Sequence, residues 1–270
     1  ISQVGEIPLV TGGISEKIIH QNPNDEKDYK ELSALTVSSP VGDRGSAVMI
    51  DKDKILFIGG QQTGMEYAAS NNAILIDISD SFKPKIIKKK SMHYPRAFAD
   101  ATILPNGDVF VNGGSASNHA SFEDFDFSIL TPEIYKTNDN VWKKMSKTNF
   151  RRNYHSSSLL LPDGRIFVGG GDAWNAQFFY PPYLFSKNNK GKTVLAKRPK
   201  IEEIDKIITQ RKNSKIKVDD NSDIEKISLI STGSTTHAQA SELKYLSLNF
   251  KKKNDKEIEF EIPEEKNTIT

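Results

Sequence analysis

The chain has 270 residues, no cysteine and a formal net charge of +2 at pH 7. The absence of cysteine excludes disulfides, thiolate metal ligands and cysteine nucleophiles. The near-neutral charge gives no electrostatic basis for binding nucleic acid or an anionic membrane, and we expect neither as a partner. No apolar run approaches the roughly 20 residues that span a bilayer as a helix. The chain is long enough for one large domain or two smaller ones.

The N-terminal residues 1–43 are weakly patterned, and the polar run from Gln21 to Lys30 predicts a loop. The chain begins at Ile1, with neither an initiator Met nor a signal-peptide pattern. We therefore expect a processed or partial chain.

A sequence repeat follows this stretch. Its unit is a hydrophobic strand, a polar turn, a second strand and a run of glycines. The three copies are residues 44–60, 96–114 and 151–171. Gly60, Gly114 and Gly170 set a period of 54–56 residues, close to the roughly 50 of kelch-type propeller repeats. Further apolar segments give each unit room for about four strands, which is one propeller blade. Because propellers need four to eight blades, we expect the missing blades to come from upstream sequence or from another chain.

The third copy predicts a hairpin. Its first strand is predicted from Tyr154 to Leu161, its turn at Pro162–Gly164 and its second strand from Arg165 to Val168. Asp-Gly between two apolar runs is a strong hairpin signal, because Gly accepts the positive φ that a tight turn requires. Outside the hairpins of the repeat, apolar segments predict strands at residues 73–78, 127–135, 140–145 and 177–185.

The pattern changes after Pro199. Short alternating segments predict strands at residues 214–218, 226–230, 245–250 and 257–262, with polar turns between them. This pattern indicates the beginning of a β-sandwich, with too few strands before Thr270 to close two sheets.

Tyr154 and His155 open the third copy and are candidate metal ligands. Adjacent residues of a regular strand point to opposite faces, so both can reach one metal only if the strand is bent or starts there. His237 ends a loop rich in Ser, Thr and Gly, Ser231–His237, which is thin enough to enter a propeller's central channel. Imidazole nitrogen and phenolate oxygen are ligands that suit copper. The spacing alone also leaves these residues as ordinary strand and loop positions.

The other three histidines are His20, His93 and His119. We expect His20 and His93 to be structural or surface residues. His119 follows a double glycine in a loop, and loops of this kind lie on one face of a propeller, so it is a weak candidate for lining a site.

Four motifs occur in order along the chain: Arg152–Gly171, Ala176–Phe185, Arg198-Pro199 and Gly233–His237. Together they resemble the C-terminal half of the galactose oxidase and glyoxal oxidase family, the copper radical oxidases. The resemblance covers roughly residues 42–262. It implies an all-β chain with two parts. Residues 1–196 would be kelch-type blades of a seven-bladed propeller, and residues 197–270 an incomplete immunoglobulin-like β-sandwich.

The resemblance also implies a site. His155 and His237 would be the two histidine ligands of copper, with His237 carried into the propeller by a loop of the last domain. Tyr154 would be the axial ligand and the base that accepts the substrate's proton, and Phe122 would line the substrate pocket. The family's redox cofactor is a tyrosine cross-linked to a cysteine, and this segment does not encode it because it has no cysteine. Gln61–Glu66 does not repeat the sugar-contacting residues of galactose oxidase, so galactose is not assumed as the substrate.

We therefore predict a copper-dependent oxidase that takes two electrons from a primary alcohol, aldehyde or carbohydrate and reduces O2 to H2O2. The family is largely secreted or extracytoplasmic, and the resemblance implies that location. The alternative is a non-catalytic propeller that binds a glycan or a protein, with Tyr154, His155 and His237 as a vestigial metal site. A third interpretation is a structural propeller whose histidine pair is only packed.

Overall fold

The computed structural model describes residues 17–21, 29–34, 44–61, 68–79, 85–117, 127–171, 173–208, 212–236, 239–241 and 243–262. Within these ranges the chain is built of antiparallel strands, with one short 3-10 helix at Pro182–Leu184. Across the same ranges no helix has the length and apolar character needed to cross a membrane. The prediction of an all-β chain is confirmed.

A hairpin and three propeller blades come first. The hairpin is β1 (Lys17–Gln21) and β2 (Tyr29–Ala34). The first blade is β3 (Gly45–Asp51), β4 (Lys54–Gly59), β5 (Ala73–Asp77) and β6 (Lys85–Lys88). The second is β7 (Ala97–Ile103), β8 (Val109–Ser115), β9 (Glu133–Lys136) and β10 (Val141–Lys144). The third is β11 (Ser156–Leu160), β12 (Ile166–Gly170) and β13 (Ala176–Phe179).

The first strand of each blade is the innermost one. β7 packs against both β3 and β11, so these three strands lie side by side across the blades. Val48 and Leu56 of the first blade share one buried core with Ala101 and Ile103 of the second. Alternate residues of each strand therefore bury one face against the next blade, as the period of two predicts.

The double glycines allow neighbouring blades to approach closely. The Gly60 and Gly114 amides donate to the Arg96 and Arg152 carbonyls of the following blade, each at 2.7 Å. A β-carbon added at Gly59 would lie 2.3 Å from the Arg96 carbonyl oxygen, and Gly59 has a φ of +68°. A side chain at this position would therefore force the two blades apart.

Two buried arginines hold the inner ends of the blades. The Arg96 guanidinium donates to the Gly113 carbonyl at 2.6 Å and to Glu133 at 3.0 Å, and both side chains are fully buried. Arg152 stands at the same position in the next copy and donates to the Gly170 carbonyl at 3.1 Å. Burial lowers the pKa of Arg96, and the charge of Glu133 opposes that shift. Each arginine thus links the start of the first strand of its blade to a glycine in the second strand of the same blade.

The described chain after the third blade forms further sheets. The strands are β14 (Phe185–Lys187), β15 (Thr193–Leu195), β16 (Ile201–Ile204), β17 (Asn213–Val218), β18 (Ile227–Ile230), β19 (Ser234–Thr236), β20 (Gln239–Ser241), β21 (Tyr245–Leu248), β22 (Phe250–Lys252) and β23 (Glu257–Glu261). The largest sheet has the order β16-β17-β23-β22 and packs over β18 and β21 through a separate apolar core. Tyr245 belongs instead to the propeller core, and the Ser228 hydroxyl donates to the Pro105 carbonyl at 3.0 Å. These contacts fix the second part of the chain on the blades.

Three sequence predictions of strand position were wrong. The strand predicted at residues 177–185 ends at Phe179, because Pro181 and Pro182 lack amide hydrogens and the chain turns into the 3-10 helix. The strand predicted at residues 127–135 pairs regularly only from Glu133. The third-copy hairpin is shifted, since its strands run over Ser156–Leu160 and Ile166–Gly170.

Candidate metal centre

Tyr154 and His155 lie in a turn directly before β11. His155 has a φ of +65°, in the left-handed region that L-residues other than Gly rarely adopt. The Tyr154 and His155 ring centroids are 3.7 Å apart and the rings are inclined by 31°. Because the turn precedes the strand, the two rings lie side by side rather than on opposite faces. The pair therefore lies at a strand start, where adjacent side chains need not point to opposite faces.

Two other strand starts repeat this backbone conformation. Arg44 has a φ of +68° and Phe98 a φ of +60°, and each stands directly before or within the start of an innermost strand. Among the described residues only four other than glycine have positive φ, and Asn140, in the turn before β10, is the fourth. Each left-handed residue costs about 1–2 kcal/mol. Strain of this kind, repeated at one position, is typical of functional sites.

These positions share one register in the repeat. Arg44, Phe98 and His155 each stand 15 residues before a glycine of positive φ, namely Gly59, Gly113 and Gly170. The structural period is therefore 54 and then 57 residues, because the third copy aligns one residue away from the predicted register. The constant 15-residue spacing before these glycines is the sequence signal that could have identified Arg44 and Phe98 as the equivalents of His155.

An aromatic stack joins the three positions. The Phe98 ring packs edge-on against Tyr154, with centroids 5.2 Å apart and an angle of 72°. The Arg44 guanidinium lies 5.2 Å from the centre of the same Phe98 ring. Phe98 is buried together with Ala69 and Ala97. The Tyr154 ring is thus held between His155 and a buried aromatic wall.

The loop that contains His237 belongs to a hairpin that lies on the innermost strands. β19 lies against β11, and β20 lies against β3 and β7. The two strands are paired, with Thr236 opposite Gln239. His237 itself falls between them and outside the described residues, as do His119 and Phe122. The backbone of this hairpin therefore contacts all three innermost strands.

A buried polar cluster lies behind the Tyr-His pair. The Ser156 hydroxyl donates to Asp100 Oδ2 at 2.5 Å. Burial raises the pKa of Asp100 to about 7, while the Ser156 hydrogen bond and the Arg152 charge oppose the rise. Asp100 Oδ1, Asn112 Nδ2, Arg152 Nε and Asn153 Oδ1 are buried with no hydrogen-bond partner among the described protein groups. Buried polar atoms are nearly always paired, so four such atoms without a described partner in one region are unusual. The sequence analysis did not identify this cluster.

Of the remaining histidines, the structure describes the side-chain contacts of His93. His93 Nδ1 lies 2.6 Å from Glu133 Oε1, far along the chain from the Tyr-His pair, in agreement with its predicted structural role. His20 lies on β1. Over the described ranges no cluster of three or more His, Cys, Asp or Glu side chains forms. The candidate centre consists of Tyr154 and His155 together with the hairpin around His237, and its donor types, phenolic oxygen and imidazole nitrogen, fit copper.

The fold and the strand-start pair define a class, the β-propeller proteins in which side chains from several blades meet at a common centre. Comparison with known proteins narrows this class. The family described as "Glyoxal oxidase N-terminus" matches residues 46–187, and "Galactose oxidase-like, Early set domain" matches residues 198–270. The chain belongs to the galactose oxidase and glyoxal oxidase family, the copper radical oxidases.

Individual relatives agree with this assignment. A galactose oxidase of Gibberella zeae is 33% identical over 233 residues, which are 81% of this chain and 33% of that protein. An aldehyde oxidase of Arabidopsis thaliana is 30% identical over 121 residues, covering 39% of this chain and 20% of that protein. The solved structure of a fungal alcohol oxidase of the AA5 family, in complex with copper, has a TM-score of 0.81 and 26% identity over 93% of this chain and 54% of that chain. The chain spans about a third of the length of the galactose oxidase.

Proposed function

We propose that the chain carries the copper-binding part of an oxidase that converts a primary alcohol and O2 into an aldehyde and H2O2, or an aldehyde hydrate and O2 into a carboxylic acid and H2O2. The observation that carries the proposal is the side-by-side placement of the Tyr154 and His155 rings at the start of an innermost strand. Membership in an oxidase family supports it.

Each residue has a separate task in this proposal. His155 and His237 supply imidazole nitrogens, and Tyr154 supplies a phenolic oxygen. Tyr154 accepts the proton of the substrate hydroxyl, and general-base transfer of this kind contributes about 10²–10⁴ in rate. When bound, copper supplies one electron acceptor beside an organic radical and acidifies a coordinated hydroxyl. Phe98 shields one side of Tyr154 from water and fixes its ring.

Other parts of the active protein lie outside the described residues. Phe122 is proposed to line the substrate pocket. A tyrosine–cysteine radical cofactor would come from outside the 270 residues, because they contain no cysteine. The remaining blades would come from upstream sequence or another chain, the division at residues 196 and 197 would separate propeller from β-sandwich, and the protein would act outside the cytoplasm.

The test is a copper titration of the full-length protein, with an optical spectrum and a peroxide assay. We expect one tightly bound copper in the parent and a large loss of affinity in His155→Ala and His237→Ala. Tyr154→Phe should bind copper but lose most of the turnover. His93→Ala is the matched control, because its imidazole contacts Glu133 and not the Tyr-His pair.

Two outcomes would reject the oxidase. Copper binding that is equal in the parent, His155→Ala and His237→Ala would place any metal elsewhere. Tight binding without a radical spectrum or peroxide would favour the non-catalytic propeller with a vestigial metal site.

A further inference from the structure

The second blade carries a buried polar pair that the other two blades lack at the same position. Asp100 of β7 stands directly opposite Asn112 of β8. Counted from the left-handed strand start and from the glycine of positive φ, the equivalent pairs are Ser46 with Ile58 in the first blade and Ser157 with Gly169 in the third. The blade fold therefore does not require a carboxyl opposite a carboxamide at this position.

Three side chains around this pair each keep one polar atom without a partner among the described groups. These atoms are Asp100 Oδ1, Asn112 Nδ2 and Arg152 Nε. The three residues are at most 2% exposed, so bulk solvent does not reach them. Leaving a buried polar atom unpaired costs free energy, and nearly all such atoms in folded proteins are paired. One acceptor and two donors therefore need a partner here.

The three side chains lie together at the junction of the second and third blades. Directly opposite residues of antiparallel strands have β-carbons about 4.5–5.5 Å apart, so Asp100 and Asn112 share one face of the blade. A β-carbon added at Gly113, next to Asn112, would lie 2.7 Å from the Arg152 β-carbon. Burial has the largest effect on the pKa of Asp100, and the Ser156 hydrogen bond and the Arg152 charge oppose it, so the guanidinium also lies within electrostatic reach of the carboxyl.

The chemistry of the three atoms fits a water molecule. A water can accept from Asn112 Nδ2 and Arg152 Nε and donate to Asp100 Oδ1. A cation would face two N–H donors, and an anion would face the carboxyl. Asp100 Oδ1 and Asn112 Nδ2 do not bond each other although their residues stand opposite, and a bridging water spans such a separation. Buried waters typically make about three hydrogen bonds to polar groups that have no other partner.

We propose that the junction of the second and third blades binds one internal water at Asp100 Oδ1, Asn112 Nδ2 and Arg152 Nε. The water joins both inner strands of the second blade to the start of the third, next to Ser156, whose hydroxyl holds the other oxygen of Asp100. Its second hydrogen is free for Asn153 Oδ1, the remaining unpaired acceptor of the cluster. The site needs neither copper nor catalysis, so it stands whether or not the oxidase proposal holds.

The test is a crystal structure of the full-length protein at a resolution that shows ordered waters. We expect one density peak about 2.7–3.2 Å from all three atoms, with a B-factor close to that of the side chains around it. No peak, or a direct bond from Asp100 Oδ1 to Asn112 or Arg152, would overturn the proposal. A peak with six or more oxygen ligands at about 2.3–2.6 Å would identify a metal cation instead and would also overturn it.

Asn112→Ile introduces at this position the residue that the first blade carries there. The variant removes one donor and fills the space beside Asp100, so the peak should be lost. Thr102→Val is the matched control, because Thr102 lies two residues from Asp100 on the same strand and its hydroxyl is 2.9 Å from the Ser158 hydroxyl of β11. This control loses a polar contact between the same two blades but should keep the peak. An unchanged peak in Asn112→Ile would refute the part assigned to Asn112.

A measurement in solution excludes an effect of the crystal. Magnetic relaxation dispersion of the water oxygen nucleus detects waters that stay inside a protein far longer than surface waters do. We expect the dispersion of Asn112→Ile to fall below that of the parent by the contribution of one internal water, and that of Thr102→Val to equal the parent. Equal dispersion in the parent and Asn112→Ile would overturn the proposal. If Asn112→Ile does not fold, the density in the parent crystal decides alone.

Discussion

Asp100→Asn should change the pH dependence of folding in a way that no surface carboxyl can reproduce. Asp100 is fully buried, one of its oxygens is bonded to Ser156, and the other has no hydrogen-bond partner among the described groups. Burial raises the pKa of this carboxyl from its ordinary 3.8 to about 7. A carboxamide has nearly the same shape as the neutral carboxyl and never ionises.

The sign follows from proton binding. Between pH 4 and 7 the folded protein keeps a proton on Asp100 that the unfolded chain has lost, so the free energy of unfolding falls as pH rises. The contribution is fully present below about pH 4 and is lost through about pH 7. A shift of about 3 units at 1.36 kcal/mol each gives about 4 kcal/mol over this interval. The Asn variant lacks this loss, so it should gain stability relative to the parent by up to about 4 kcal/mol.

Urea unfolding at pH 4.5, 5.5, 6.5 and 7.5 measures the difference between Asp100→Asn and the parent. We expect the difference to grow with each step in favour of the variant. Asp163→Asn is the control, because hydrogen bonds from Arg165 lower the pKa of that exposed carboxyl. Asp163→Asn should therefore be less stable than the parent by an amount that stays constant from pH 4.5 to 7.5, because the contribution of Asp163 is lost only as the pH falls below its ordinary pKa. Parallel curves for the parent and Asp100→Asn would refute the reasoning.

Three further predictions concern the strand starts and their clamps. His155→Gly should be about 1 kcal/mol more stable than His155→Ala by urea unfolding, because only Gly relieves the left-handed strain; both variants should fail in copper titration. Arg96→Met should cost about 3–5 kcal/mol by the same measurement, because it leaves Glu133 as a buried charge without its main partner. Phe98→Ala should lower the free energy of unfolding by about 3–5 kcal/mol, and it should also lower turnover because the Tyr154 ring loses its neighbour. Unchanged kinetics would contradict the role of Phe98 in holding Tyr154.

Much of the fold was predictable because it rests on local signals. The Asn-Gly and Asp-Gly turns and the alternating apolar residues specify hairpins, and a constant glycine spacing specifies their repetition. The edge strands β6 and β22 each carry two lysines, Lys85 and Lys88 on β6 and Lys251 and Lys252 on β22, and exposed lysines of this kind protect an unpaired strand edge. The hairpin of β1 and β2 was not predicted, since residues 1–43 show little hydrophobic alternation and strand pairing there depends on register.

The site was predictable in its residue types but not in its geometry. The sequence identified Tyr154 and His155 as possible ligands, but it did not decide whether the two adjacent side chains lie on the same side of the chain. The deciding feature is the positive φ of His155, and residue type does not report it because even histidine, which is enriched in this region, adopts it at only a small fraction of positions. Asp100 was missed for a related reason, since its burial depends on the packing of β11 against β7.

The three strained strand starts share one backbone conformation but carry side chains of different chemistry. Three blades hold Arg44, Phe98 and His155 in the same left-handed conformation, although none is a glycine and each costs about 1–2 kcal/mol. The same backbone conformation thus presents an arginine, a buried phenylalanine and the histidine that we propose as a metal ligand. A strand that began with ordinary φ would direct neighbouring residues to opposite faces. The left-handed start brings Tyr154 beside His155 and against Phe98, so the strain accompanies the ring contacts on which the proposed centre depends.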